Sequence, residues 1–149
     1  IYRHPLFCIN HTTYDLHRET DSINPQTAHQ DITLLADGDG SGKHLFCYAH
    51  VLGIYHVNVT YISPRTRDYQ SQRQDILWVC WFELLPDQHS ARFVPMDQAN
   101  AFGFVDPMDM LWCCHLIPSF ADGRSHPDSI GRSCNAHDSK DWKVYYINQ

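Results

Sequence analysis

The chain lacks the long apolar runs and the excess of basic residues that define several large classes of protein. Within its 149 residues, no apolar run approaches the roughly 20 residues that a membrane-spanning helix needs. Lysine and arginine number only 11 against 17 aspartates and glutamates, which gives a formal net charge of −6. This balance gives weak support to nucleic acid as a partner, and the sequence predicts no membrane association.

Cysteines and the common catalytic motifs are also scarce. Six cysteines in the whole chain are too few for the disulfide scaffold of a small secreted domain. No Gly-x-Ser-x-Gly, His-Glu-x-x-His or dinucleotide-binding motif is present. The opening residues IYRHPLFCIN are too few and too polar for a signal peptide. A chain that begins at Ile1 suggests processing or a fragment of a longer protein, and we expect a nuclear or cytoplasmic location.

The chain does contain the residue pattern of a folded, β-rich protein, and we predict that residues 1–149 form a single domain. Hydrophobic residues make up 43% and aromatic residues 13%, which is typical of a globular protein. The segments 44–63 and 74–85 are rich in β-branched and aromatic residues, with Gly53 at a plausible bulge. The fold prediction is a mainly β barrel or sandwich with long loops and one or two short helices.

The remaining segments have a less regular alternation of apolar and polar residues. Residues 31–37 and 141–149 read as shorter strands, and the polar segment 11–21 reads as a strand near the start. Residues 104–120 are ambiguous, because Asp106 and Pro107 are suited to begin a helix that would run from Met108 to His115. Residues 121–141 read as a loop.

The segment LLADGDGSGKHLF, 34–46, raises the question of a calcium or phosphate loop. An EF-hand that begins at Asp37 would need glutamate at its twelfth position, where Tyr48 stands. A phosphate-binding loop would need glycine in place of Asp37 and serine or threonine in place of His44. Both motifs fail, so the segment is predicted to be a hairpin loop between two strands.

Three Cys-x-x-His pairs raise the possibility of a structural zinc ion. They are Cys8 with His11, Cys47 with His50, and Cys134 with His137. Residues i and i+3 of a strand point to opposite faces, which argues against chelation by the first two pairs. Cys134 and His137 lie in a predicted loop, and they are the alternative metal ligands of a zinc-stabilised structural domain.

A second alternative is a small metal- or His/acid-dependent ribonuclease. Asp15, His17 and Asp21 fall on one face of the polar strand, with His29 eight residues further on. Carboxylates and imidazoles in such a group are suited to general acid–base or metal-assisted chemistry. A solvated strand face is the simpler interpretation of the same pattern.

Aromatic side chains offer a third kind of site. The rings of Tyr48, Trp78, Trp81 and Trp112 are the candidate ligand-binding residues, since ring faces attract the cation of a methylated lysine. Packing in the core is the competing interpretation of most of these rings.

Five segments, in order along the chain, carry a resemblance to a known family. They are YDLHRETDSINPQTAHQDITLL, FCYAHVLGIYHVNVTYI, QDILWVCWFELL, AFGFVDPMDMLWCCHLIPSF and DWKVYYINQ. Together they resemble the C-terminal region of the Plavaka-type (Kyakuja–Dileera–Zisupton) transposases of mushroom-forming fungi. The resemblance implies that the catalytic acidic residues would belong to an upstream RNase-H-like domain that is absent here, so none of them carries over.

The chain also departs from that family's pattern. Arginine usually stands at the positions of His50 and Cys80, and losing two basic residues weakens a role in nucleic-acid binding. The spacing of the aromatic strands also resembles, more distantly, that of the BAH chromatin modules. The leading hypothesis is therefore a non-catalytic interaction module of a fungal transposase-like protein that binds protein or chromatin without a cofactor.

Overall fold

The computed structural model describes residues 1–12, 18–36, 45–63, 69–87, 89–134 and 136–148. Within these ranges no helix is long and apolar enough to cross a membrane. The described elements are strands with two three-residue 3-10 turns, Pro107–Asp109 and Asp138–Lys140. The strands are β1 Tyr2–His4, β2 Phe7–Thr12, β3 Arg18–Ile23, β4 Asp31–Leu35, β5 Phe46–Val59, β6 Gln72–Leu84, β7 Ser90–Phe93, β8 Phe102–Val105, β9 Met110–Pro118 and β10 Tyr145–Asn148.

Six of these strands close into a ring. Antiparallel pairing runs from β5 to β4, β9, β10, β7 and β6, and β6 pairs again with β5. Strand β1 adds to the far part of β5, β8 adds to β6, and β2 and β3 form a separate hairpin. The prediction of a mainly β barrel or sandwich is confirmed.

The long strand β5 takes part in the ring and also extends beyond it. Its register with β6 shifts between Val51 and Gly53, so the predicted irregularity at Gly53 is confirmed. A side chain at position 53 would collide with the ring of Tyr55. Glycine therefore lets the Tyr55 ring lie against the strand at the bulge, where extra twist helps a barrel to close.

The inner face of the barrel can be followed through directly opposed residues, because such pairs share one face of an antiparallel sheet. Tyr48 is opposite Thr33, and Thr33 is opposite Trp112. A buried inner cluster fills the centre of the barrel, and it comprises Tyr48, Phe82, Ala91, Leu116 and Tyr145.

A second cluster lies on the outer face of the same strands. It is composed mainly of aliphatic side chains such as Ile32, Val51, Leu77 and Val79, and Ile23 of the β2–β3 hairpin is fully buried in it. Burial of one aliphatic side chain of this size contributes about 1.5–3 kcal/mol. The hairpin therefore acts as a cover for one wall of the barrel.

The ambiguity of residues 104–120 is resolved against the helix over Met108–His115, because residues 110–118 form a strand. Asp106 does cap a turn, with its carboxylate accepting from the backbone N–H of Met108 at 2.9 Å, but that 3-10 turn spans only Pro107–Asp109. The residues that follow form β9, which is hydrogen-bonded to β4 on one side and to β10 on the other. The hydrogen bonds of β9 with these two strands outweigh the local preference for a helix.

The short strands β1, β7 and β8 were not anticipated, because three or four residues carry little periodicity. The prediction of one polar strand over 11–21 is wrong, because the segment includes the end of β2 and the start of β3, which pair antiparallel with His11 opposite Glu19. Residues 13–17 lie outside the described residues. The loop predicted within 34–46 falls largely on residues 37–44, which are also outside them. The flanking strands do pair as a hairpin, from Asp31 opposite His50 to Leu35 opposite Phe46.

Candidate functional site

Two pockets extend from opposite ends of the inner cluster, and both are lined by inner-face residues of β4, β5, β9 and β10. We call one the aromatic pocket; it has a volume of about 240 Å³ and is lined by Thr33, Phe46, Tyr48, Trp112, Cys114, Ile147 and Asn148. We call the other the histidine pocket; it has a volume of about 720 Å³ and its lining includes Gln30, Asp31, His50, Phe82, Asp141, Trp142 and Tyr145.

Three rings form the walls of the aromatic pocket. Phe46 and Trp112 meet edge to face, with their centroids 5.4 Å apart. Trp112 is 44% exposed, whereas Tyr48 is only 4% exposed. The rings therefore surround a cavity with one buried wall and one wall that reaches solvent, which is suited to an apolar or soft cationic group.

The polar atoms of this pocket are few. Thr33 is 1% exposed, and in the described part of the chain its Oγ1 has no nitrogen or oxygen partner. Its contact with the thiol of its neighbour Cys114 is a weak hydrogen bond. Burial raises the pKa of the Cys114 thiol to about 12, although this hydrogen bond lowers it, so this cysteine stays protonated and apolar in character at neutral pH.

The four predicted ligand-binding rings are divided by the fold. Tyr48 and Trp112 share the aromatic pocket. Trp78 instead stacks on Phe102 with centroids 6.1 Å apart, and Trp81 packs against the outer cluster. The third ring of the pocket is Phe46, which the sequence reasoning missed although it stands two residues before Tyr48 and so shares its face.

A histidine held between two acceptors forms one wall of the histidine pocket. His50 Nδ1 lies 2.7 Å from Oδ1 of Asp31. When the Gln30 amide is oriented so that its nitrogen donates to the carbonyl oxygens of Pro25 and Thr27, its oxygen lies 3.2 Å from His50 Nε2. In that orientation both ring nitrogens of His50 lie against side-chain oxygens, which fix the position of the imidazole.

The opposite wall comes from the loop that precedes β10, and a buried aspartate organises this loop. Asp138 is 1% exposed and accepts from the backbone N–H groups of Arg132 and Ser133 at 2.9 and 3.0 Å. His126 Nε2 lies 3.4 Å from the same carboxylate. A side chain at Gly131 would collide with Asp138, so glycine is needed there for the loop to close on its carboxylate.

This loop places Asp141 at the histidine pocket. Burial raises the pKa of Asp141 to about 6, and Asp138 and Asp31 add to the increase while His50 and His126 oppose it. Beside it, the backbone N–H of Trp142 donates to the Tyr145 hydroxyl at 3.0 Å. The pocket thus combines a hydrogen-bonded His50–Asp31 pair with a carboxylate that is costly to ionise.

Cys80 lies next to this group, opposite His50 in the β5–β6 ladder. Thus Cys80 and His50 are neighbours across the ladder. Burial raises the pKa of the Cys80 thiol to about 12, with Asp141 and Asp138 adding to it. Cys80 therefore carries no ready thiolate for nucleophilic chemistry at neutral pH.

The residues of the ribonuclease alternative do not form a visible site in the described chain. Asp15 and His17 lie outside the described residues. Oδ2 of Asp21 accepts from the backbone N–H of Cys113 at 3.0 Å and so ties the β2–β3 hairpin to β9. His29 is exposed in the turn that leads into β4. Asp21 therefore has a structural role, since it holds the β2–β3 hairpin against β9.

The candidate zinc ligands are likewise dispersed. Cys47 and His50 lie on opposite faces of β5, as the strand geometry predicts, because Cys47 packs against the outer cluster while His50 lines a pocket. Cys134 and His137 are both exposed. In the ranges that the structure describes, no three His, Cys, Asp or Glu side chains are grouped so that they could hold a metal ion.

Comparisons with known proteins add no relative. No family model matches the chain, and neither the curated proteins nor the solved structures contain a significant match. The functional argument therefore rests on the two pockets themselves.

Proposed function

We propose that this chain is a non-catalytic interaction module of a transposase-like protein, and that it binds a protein partner, with chromatin as the partner class, through the aromatic pocket. The observation that carries the proposal is the convergence of Phe46, Tyr48 and Trp112 around one open cavity. Three aromatic rings around a cavity of the size of one side chain favour binding of a methylated ammonium group, which has weak hydration and a diffuse charge. The resemblance to the C-terminal region of Plavaka-type transposases agrees with a role outside catalysis.

The absence of a carboxylate from the pocket's described lining bears on the ligand. Its polar groups there are the hydroxyl, thiol and amide of Thr33, Cys114 and Asn148, together with the Tyr48 hydroxyl. An unmodified lysine would lose its hydration and find no counter-ion, whereas a trimethylated lysine requires neither. A trimethyllysine side chain is therefore the occupant that this lining favours.

A titration of the intact chain with histone-tail peptides tests the proposal. Peptides would carry trimethyllysine, unmodified lysine, or the neutral analogue with carbon in place of the charged nitrogen. We expect the trimethyllysine peptide to bind about tenfold more tightly than either of the others, since cation–π attraction contributes about 0.5–2 kcal/mol. Trp112→Ala should abolish that preference, while Trp78→Ala, a matched loss of an indole outside the pocket, should retain it.

The outcome that would overturn the proposal is equally specific. If no peptide binds at millimolar concentration, or if Trp112→Ala binds as tightly as the unaltered chain, the aromatic pocket is not the binding site. Duplex DNA and RNA in parallel titrations test nucleic acid as the partner. An RNA cleavage assay with and without chelator tests the ribonuclease alternative, which stays a prediction.

A further inference from the structure

The histidine pocket has an electrostatic feature that the proposed function does not use. His50 lies between Asp31 and Gln30, so that both of its ring nitrogens face acceptors. The Asp31 side chain is 10% exposed, and its Oδ1 lies 2.7 Å from His50 Nδ1. Both side chains of this pair have hydrogen-bond partners without a ligand.

Asp141 is the second carboxylate of this pocket, and it lacks a comparable hydrogen bond among the described residues. In the described part of the chain no donor bonds to its carboxylate, and its backbone groups are already used, since its N–H donates to Asp138 and its carbonyl accepts from Ser125. Lys140 is exposed and forms no ion pair among the described residues. A partly buried carboxylate without a donor is costly, and a cation in the adjoining cavity would remove that cost.

The rest of the cavity suits an organic cation better than a metal ion. Aromatic walls are provided by Phe82, Trp142 and Tyr145. Trp142 already holds one cation, because the Arg124 guanidinium lies 5.0 Å from its ring centroid. The volume of about 720 Å³ exceeds what a bare ion fills, and no third metal ligand is grouped there among the residues described.

We propose that the histidine pocket is a second binding site, which takes an ammonium or guanidinium group and uses Asp141 as its counter-ion. A donor that enters the cavity would reach a carboxylate with both oxygens available, while the rings pack against its methylene stem. The same chemistry could come from a lysine or arginine side chain of a protein or from a free amine, and the probes below separate these sources.

The test is a titration of the intact chain at pH 8, followed by NMR. The probes are N-acetyl-arginine methylamide, N-acetyl-lysine methylamide, 1,4-diaminobutane, and the neutral citrulline counterpart of the first. We expect the cations to shift the resonances of Trp142 and Tyr145, and citrulline to leave them unchanged. Preference for the amino-acid amides over the diamine would assign the site to a protein side chain, and the reverse to a free amine.

Two aspartate variants supply the decisive comparison. Asp141→Asn removes the charge at constant shape and should weaken cation binding about tenfold or more. Asp97→Asn, a change at an exposed aspartate outside the pocket, should leave the affinity unaltered. Binding of the trimethyllysine peptide by Asp141→Asn serves as a check that the barrel is intact, and it makes a failure here distinct from a failure of the proposed function.

Acidification supplies an independent readout. The charged or titratable groups that act on Asp141 are Asp31 on β4, His50 on β5, Asp138 in the 3-10 turn and His126 in the loop. Others line the same cavity or the one next to it, and they are His115, His137, Lys140 and Arg132. As the pH falls through about 6, Asp141 takes up a proton, so cation affinity should decline several-fold. Equal binding of citrulline and arginine amides, or unchanged affinity in Asp141→Asn, would overturn the proposal.

Discussion

The two ends of the barrel differ in chemistry although they are built from the same strands. On β5 the inner face changes from Tyr48 in the aromatic pocket to His50 in the histidine pocket, and on β4 it changes from Thr33 to Asp31. Each change is a step of two residues, which is about 7 Å along a strand. Alternation alone therefore lets one barrel present a ring-lined cavity at one end and an ionic cavity at the other.

Each end also holds one polar side chain for which the described chain provides no nitrogen or oxygen partner. At the aromatic end this group is the Thr33 hydroxyl, and at the histidine end it is the Asp141 carboxylate. Such groups lower the stability of the folded state. Their position beside cavities instead of in the packed centre suggests that they are kept for binding, since function and stability often conflict at binding sites.

The largest effect on stability is expected from a substitution that disrupts the wall of the histidine pocket and leaves the aromatic pocket unchanged. Asp138→Ala would leave the backbone N–H groups of Arg132 and Ser133 without an acceptor, and the loop that carries Asp141 would lose its organising contact. We expect the free energy of unfolding to fall by about 2–5 kcal/mol. Urea denaturation measures that change, and binding of the trimethyllysine peptide, where the variant remains folded, reports on the aromatic end.

The matched control is Asp128→Ala in the same loop. The Asp128 carboxylate is exposed, and among the described residues it accepts one hydrogen bond, from the backbone N–H of Ile130 at 3.1 Å. Its loss should cost no more than about 0.5 kcal/mol. If Asp138→Ala proves no more destabilising than this control, the loop is not organised by Asp138, and the account of the histidine pocket's wall is wrong.

Much of the barrel was predictable from local pattern. The β-branched and aromatic residues of β5 and β6 indicated long strands, and the glycine within β5 indicated the bulge, because both features act over a few neighbouring residues. The strand β9 was not predictable in this way. Asp106 and Pro107 favour a helix start, and only pairing with β4 and β10, distant in sequence, decides otherwise.

The candidate sites were predictable only in part, for a related reason. Tyr48 and Trp112 were candidates because aromatic rings suit cations, but their meeting with Phe46 depends on the register between β5, β4 and β9. The His50–Asp31 contact depends on the same register across residues 37–44. Asp141 comes from a loop whose shape depends on a single buried carboxylate, and no periodicity in the sequence indicates that.

An intermediate effect is expected from Asp141→Asn, through the pH dependence of stability. The folded-state pKa of Asp141 is about 6, above its ordinary value of 3.8. The unaltered chain therefore has this contribution in full below about pH 4 and loses it as the pH rises through 6. At pH 8 the asparagine variant should be more stable by about 1–2 kcal/mol, a value reduced for partial solvent screening, and near pH 4 the two should converge.

Denaturation at several pH values measures this difference. Asp97→Asn serves as the control and should follow the unaltered chain across the range. An asparagine variant that is less stable at pH 8 would mean that the carboxylate is already paired in the folded chain. In that case neither His50 nor Asp141 would need a ligand. The histidine pocket would then not differ from the aromatic pocket in holding an unpaired charged group.

The smallest effect is expected at the aromatic end, from Thr33→Val. Valine keeps the shape and removes the buried hydroxyl, so the chain should become more stable by about 0.5–1 kcal/mol. Thr33→Ser keeps the hydroxyl and removes a methyl group, and it should be less stable by about 1 kcal/mol. Denaturation midpoints measure both changes. If valine destabilises as much as serine, the hydroxyl has a partner in the folded chain. Affinity for the trimethyllysine peptide should change less than twofold in Thr33→Val, because a trimethylammonium group has no N–H to donate, whereas the cations of the histidine pocket depend on donating to Asp141.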